Sequence, residues 1–338
     1  MIIRFKKGIN GETLEEIVKK AKAVNLEAEV IDKGTESIRL VGIKGDTSKI
    51  DTNYFLINNI EEVVRITKSY KLVSREYNQK DRIIEINNVK IGGDNSIYMA
   101  GPCSVEDNEE LMLDIARKVK EKGAQIFRAG SYKPRTNAFS YQGMRKQGLP
   151  ILKKIKDETG LLIVTEVMDT RRVELVAEYS DIIQVGTRNM QNFELLKEVG
   201  KQNKPVLLKR GMSASLSEFL NAAQYIVKEG NKNVMLCLRG VRPTEDGMRN
   251  MPDLGAINYL KKESNLPVIF DPSHAAGKRS LVDPHSRQAI AGGADGLIIE
   301  VHTDPDNAAS DGHQTITPDS FGKIVQYGNK YIETFGRY

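Results

Sequence analysis

Cysteine is scarce: two residues in 338, Cys103 and Cys237, are too few for a disulfide framework in so long a chain. A reducing compartment is the expectation, and each thiol needs its own explanation. Long apolar runs are missing as well, since none approaches the roughly 18 residues of a membrane span. Proline is held to 11 positions, and a composition of 40% hydrophobic and 28% charged residues excludes collagen-like or low-complexity character. Neither sign of charge dominates. Fifty Lys+Arg against 45 Asp+Glu leave +5, which implies neither nucleic acid nor an acidic membrane as partner, so any basic site must be local. Residues 1–7 carry no apolar signal core, and a cytoplasmic protein is expected.

What is present suggests two domains, at roughly 150 residues per domain. Residues 2–5 read as a strand, and Gly11 opens a helix with Leu14, Ile17, Val18 and Ala21 on one face. Strands at 26–31 and 37–43, a helix at 47–56 and a strand at 63–66 complete a βαββαβ order, the ferredoxin-like pattern. Residues 1–70 are therefore expected to form one domain with no catalytic constellation, and 71–96 a polar linker plus a hairpin around Asn87-Asn88. From 97 to 338, short apolar runs at 97–100, 125–129, 162–165, 182–185, 206–208, 234–238, 268–270 and 296–299 alternate with helical stretches. This pattern predicts a parallel sheet closed as a (β/α)8 barrel of the TIM type. A doubly wound open sheet is the alternative, but it would be unusually wide and would lack a glycine fingerprint after its first strand.

Barrel active sites lie at the carboxyl ends of the strands. Here those ends deliver, in order, Cys103, Arg128, Glu166, Arg188, Lys209, Arg239, His274 and Glu300. For any one of them, a polar residue after an apolar run is merely where solvent begins; for all eight that account is poor. Arg128, Arg188, Lys209 and Arg239, with Lys133 and Arg135 in the loop after the second strand, would repel one another unless a compact polyanion bound among them. Arginine's planar fork suits carboxylate and phosphate, so at least two anionic groups are implied. Cys103, His274, Glu300 and Asp311 make a mixed S/N/O donor set for a divalent transition metal, although their spacing along the chain is not local. Cys237, inside an apolar strand, reads as core, and His302 as support for Glu300.

The words around these residues are Ala100-Gly101-Pro102-Cys103-Ser104, Lys133-Pro134-Arg135-Thr136, Gly186-Thr187-Arg188-Asn189-Met190-Gln191-Asn192, Leu208-Lys209-Arg210-Gly211, Asp271-Pro272-Ser273-His274 and Ile299-Glu300-Val301-His302. Together they closely resemble the 3-deoxy-D-arabino-heptulosonate 7-phosphate (DAHP) synthases that carry an N-terminal ferredoxin-like regulatory domain. The sister family, the 3-deoxy-D-manno-octulosonate 8-phosphate synthases, shares some of these words but has Lys-Ala-Asn-Arg-Ser where this chain has Lys133-Pro134-Arg135-Thr136. Relatives of the DAHP subtype read Cys-Glu-Arg-Gly at the sixth strand; here it is Cys237-Leu238-Arg239-Gly240.

The resemblance implies a transferase that condenses phosphoenolpyruvate with erythrose 4-phosphate and water at the head of the shikimate pathway to aromatic amino acids. Phosphoenolpyruvate would lie against Arg128, Lys133, Arg188, Lys209 and Arg239, and Arg135 with Thr136 would hold the phosphate of erythrose 4-phosphate. A divalent metal (Mn, Fe, Co or Zn) on Cys103, His274, Glu300 and Asp311 would polarise the aldehyde. Lys133, His274 and Glu166 are the catalytic candidates, and the general base stays open between Glu166, His274 and a water on the metal. The same resemblance implies a homotetramer with Tyr or Phe as effector of the N-terminal domain, and no nucleic-acid or membrane partner. A non-catalytic sensor built on a degenerate barrel is opposed by the complete set of cations and ligands.

Overall fold

The computed structural model describes residues 1–33, 38–65, 68–135, 137–244 and 249–337. The chain divides into two compact units, Met1–Tyr77 and Asn78–Tyr338. Among the described residues no helix is long and apolar enough to cross a membrane.

The first unit is an antiparallel sheet of β1 (Ile2–Ile9), β2 (Glu27–Lys33), β3 (Ile38–Lys44) and β4 (Ile60–Val64), in the order β2-β3-β1-β4. That is the strand order a ferredoxin-like βαββαβ chain requires. Helix α1 (Gly11–Ala23) starts where Asn10 accepts a hydrogen bond from Thr13 N, and it buries Ile17 and Ala21 against Ile3, Val41 and Phe55. The second expected helix, at 47–56, does not form. Asp46 accepts from Ser48 N and Asp51 from Asn53 N, and these local bonds draw the backbone into turns that end in a short 3-10 segment, Thr52–Phe55. Phe55 nevertheless fills the core place such a helix would occupy. The expected strand ends at Ser37 and Ile66 lie outside the described residues.

The second unit opens with the expected hairpin, β5 (Ile84–Ile86) and β6 (Val89–Ile91). Ile84 and Ile91 pack against the first residues of several barrel strands, Ile97, Ile126, Leu162 and Ile182, so the hairpin plugs the amino end of the barrel. The barrel strands are β7 (Ile97–Gly101), β8 (Ile126–Arg128), β9 (Leu162–Val167), β10 (Ile182–Val185), β11 (Val206–Lys209), β12 (Val234–Leu238), β13 (Val268–Phe270) and β14 (Gly296–Glu300). Every neighbouring pair is parallel, and β14 returns to pair with β7, closing the (β/α)8 barrel. Helices α2 (Glu109–Glu121), α3 (Leu149–Thr159), α4 (Val173–Tyr179), α5 (Phe193–Gly200), α6 (Leu216–Lys228), α7 (Gly255–Glu263), α8 (Pro272–Ala276), α9 (Arg279–Ala291) and α10 (Pro318–Phe335) complete the crossovers. With one end plugged by apolar side chains, the polar strand ends can meet only at the other.

Candidate active site

Three strands end on a charged residue, Arg128 on β8, Lys209 on β11 and Glu300 on β14. Glu166 is the penultimate residue of β9. Arg239 follows β12 directly, Cys103 comes two residues after β7, Arg188 three after β10, and His274 sits in α8, the single turn after β13. A cavity of about 320 Å³ lies among these ends. Arg128, Lys133, Arg135, Arg188, Lys209 and Arg239 all line it, as expected, together with Glu166, His274 and Asp311. Arg128, Lys133, Lys209 and Arg239 are buried, so their charges act through protein rather than through water. Burial lowers the pKa of Arg239, consistent with a guanidinium that awaits an anion. Lys209 is held by Asp271, and Arg188 donates to Pro134 O at 3.3 Å. Arg210, next to Lys209 in sequence, turns away to Asp253 at 2.7 Å. Thr136 lies outside the described residues.

At one side of the cavity, one donor atom from each of Cys103, His274, Glu300 and Asp311 falls within 4.8 Å of the others. Asp311 reaches this position in a left-handed backbone conformation (φ +53°), which aspartate tolerates better than most residues. Its Oδ2 is 3.1 Å from Cys103 Sγ. His274 Nδ1 is 2.8 Å from Asp271 Oδ2; Nδ1–H donates to that carboxylate and leaves Nε2, 3.4 Å from Glu300 Oε1, with its lone pair free to ligate. Burial keeps the His274 pKa low, so the ring is neutral as a ligand must be. Burial, then Glu300, pushes the Cys103 thiol up to about 12, even with Lys133 Nζ at 2.9 Å from the sulfur. Against burial, the Arg128 and Lys133 cations keep the Glu300 pKa below the ordinary carboxylate range. Two carboxylates, a neutral imidazole and a thiol that needs a cation to ionise fit one divalent ion with ligand bonds of about 2.0 to 2.3 Å.

Glu166 behaves differently. Burial pushes its pKa up, Gln184 Nε2 donates to its Oε2 at 3.2 Å, and its Oε1 accepts no hydrogen bond among the described residues. Gly186 makes room for it: a β-carbon at that position would lie 1.9 Å from Oε1. Cys237 is a core residue, sealed in the barrel interior and pushed up to about 12 by burial. Leu238, in place of the family's usual glutamate, is buried outside the cavity, while its carbonyl accepts from Asp271 N at 2.8 Å.

One expectation fails. His302 does not support Glu300; it accepts from Asp304 N at 2.9 Å and faces Glu106 at 3.4 Å, and these partners hold its ring away from Glu300. The Glu300 carboxylate accepts hydrogen bonds from Arg128 at 3.1 Å and Gln314 at 2.6 Å. Gln314 had no signal beyond standing three residues after Asp311, and Arg249, which also lines the cavity, had none among the many arginines. Gln184 was legible, as a lone polar residue in an apolar strand. Asp271 stands in Asp271-Pro272-Ser273-His274, where nothing in the sequence marks it as the partner of both Lys209 and His274 Nδ1.

The family model for the DAHP synthetase I family matches residues 78–335. The chain is 44% identical over 337 residues to phospho-2-dehydro-3-deoxyheptonate aldolase of Thermotoga maritima, covering 99% of each. A 2-dehydro-3-deoxyphosphooctonate aldolase of Geobacter sulfurreducens is 32% identical over 72% of this chain and 96% of its own length. Among solved structures, the Thermotoga maritima DAHP synthase superposes with a TM-score of 0.79 at 43% identity, covering 99% of this chain and 98% of its own. A truncated form of that synthase covers 79% of this chain and 98% of its own length, with a TM-score of 0.75 at 44% identity. The matched span takes in every strand end that lines the cavity, and by that match and the full-length likeness the chain belongs to the DAHP synthetase I family.

Proposed function

We propose that the chain is a metal-dependent DAHP synthase, joining phosphoenolpyruvate to erythrose 4-phosphate with addition of water and release of inorganic phosphate. The observation that carries this reading is one cavity lined by seven cations, the six expected ones and Arg249, whose edge is a four-donor cluster. Arg128, Lys133, Arg188, Lys209 and Arg239 are assigned to the phosphate and carboxylate of phosphoenolpyruvate. Asp271 and Glu300 offset Lys209 and Arg128, and the arriving polyanion offsets the positive charge that remains. Arg135, whose guanidinium is 3.8 Å from Asp311, is assigned with Thr136 to the phosphate of the acceptor.

Cys103, His274, Glu300 and Asp311 would hold the divalent ion, which when bound supplies Lewis-acid polarisation of the acceptor aldehyde. C3 of the enol then bonds to C1 of the aldehyde, and the new oxyanion takes up a proton. Water bonds to C2 as positive character develops there and gives up one proton; the bond from C2 to the phosphate oxygen then breaks, the remaining proton of the C2 hydroxyl passes to the leaving phosphate, and C2 becomes a ketone. Lys133, between the thiol of Cys103 and the cavity, offsets negative charge at both. Glu166, which lines the cavity with one oxygen held by Gln184, is assigned as a candidate to exchange a proton with that water, beside His274 and a water on the metal.

The octulosonate reading keeps the support of relatives such as the 32% identical one, and Lys133-Pro134-Arg135 opposes it. Turnover of phosphoenolpyruvate with erythrose 4-phosphate, against turnover with arabinose 5-phosphate, decides between them; a preference for the five-carbon aldose would overturn the proposal. The proposal extends to a cytoplasmic homotetramer in which the first unit is regulatory, because it carries no chemistry of its own. Deleting residues 1–77 is expected to leave an active barrel that no longer responds to Tyr or Phe, measured as inhibition of phosphate release. Indifference of the full chain to both amino acids would remove the regulatory role and leave the catalytic one.

A further inference from the structure

The geometry points to Gln314 as a positioning residue that aims Glu300 at the metal; this inference rests on the reading of the four donors as a metal site. Gln314 is fully buried and lies outside the cavity lining, so it has no place in substrate binding. Its Nε2 donates to Glu300 Oε2 at 2.6 Å, and its Oε1 accepts from Arg249 Nη1 at 3.2 Å. An arginine can only donate and an ionised carboxylate can only accept, so the amide has one satisfying orientation. With Oε2 engaged there, Oε1 is the oxygen left facing His274 Nε2 at 3.4 Å and Arg128 at 3.1 Å.

Gln314 also ends the 3-10 turn that Asp311 begins. Gln314 N donates to Asp311 O at 3.1 Å, and Thr315 Oγ1 donates to the same carbonyl at 3.0 Å, holding Asp311 in its left-handed conformation. One residue therefore braces two of the four donors, Glu300 through its side chain and Asp311 through its backbone. Arg249 adds a link outward, since it lines the cavity while holding the far end of the same amide. Partners that orient a metal-binding carboxylate typically change metal affinity 10- to 100-fold when removed.

The test is titration of metal-free full-length protein with Co²⁺, followed by thiolate-to-cobalt absorption, alongside phosphoenolpyruvate binding by the same metal-free protein. Gln314→Leu is expected to weaken Co²⁺ binding roughly 10- to 100-fold while phosphoenolpyruvate binding stays within about twofold. Gln314→Glu keeps the shape and the Arg249 contact but turns an acceptor toward Glu300, and it should weaken Co²⁺ at least as much. Co²⁺ affinity equal to the parent's in both variants overturns the role. So does a parallel loss of Co²⁺ and phosphoenolpyruvate, which marks general damage to the barrel mouth. A parent chain that takes up no Co²⁺ through Cys103 removes the metal reading itself, an outcome distinct from an intact parent site with indifferent variants.

Discussion

Serine in place of Cys103 is expected to weaken metal binding by more than about 100-fold, because it removes a ligand rather than a residue that merely orients one, and turnover should fall with it. The thiol lies within 4.8 Å of three other donors, and its burial holds it protonated until a cation arrives. Thiolate is a soft ligand for late divalent metals, while a serine hydroxyl at the same place is a poor one at neutral pH. Cys237 provides the control. It is equally buried and likewise pushed up to about 12, but it is packed among Leu207, Met235 and Ile269 in the barrel interior. Cys237→Ser should therefore cost stability and leave metal-dependent turnover in place. Metal content after dialysis, measured on both variants beside the parent, checks this; equal loss from both would overturn the assignment of Cys103.

The second large effect concerns acceptor choice. Arg135 is anchored by Nε to Tyr141 O at 3.1 Å, which leaves the two terminal nitrogens of its guanidinium on the Asp311 side of the cavity. Losing a charged hydrogen bond of about 1.5 to 3 kcal/mol corresponds to roughly 10- to 150-fold in affinity. Arg135→Ala should raise the KM for erythrose 4-phosphate by that factor and move the KM for phosphoenolpyruvate little. Arg188→Ala should do the reverse, since Arg188 is assigned to phosphoenolpyruvate. The opposite pattern in the two variants would exchange the substrates between the two arginines.

The barrel was legible because its signals are local. Apolar runs such as Ile182–Val185 and Val234–Leu238 are strands over the same residues the pattern marked, and a parallel sheet places every strand's last residues at one end. That is why Arg128, Lys209 and Glu300 could be assigned to a site from their positions alone. What could not be read depends on side-chain direction after the strand has ended. His302 follows Glu300 by two residues and still finds different partners, whereas Gln314, fourteen residues away, reaches Glu300 through a turn set by the backbone of Asp311. The lost helix at 47–56 is a failure of another kind: its apolar spacing was adequate, but Asp46 and Asp51 offered the backbone closer hydrogen-bond partners than a helix does.

Stripping the full-length chain with a chelator and then restoring a divalent metal, while following inorganic phosphate released from phosphoenolpyruvate and erythrose 4-phosphate, tests the central claim most directly. The account predicts that release stops in the stripped protein, returns with Mn²⁺, Co²⁺, Fe²⁺ or Zn²⁺, and requires both substrates. Undiminished release by the stripped protein would contradict it, as would release from phosphoenolpyruvate alone at the same rate.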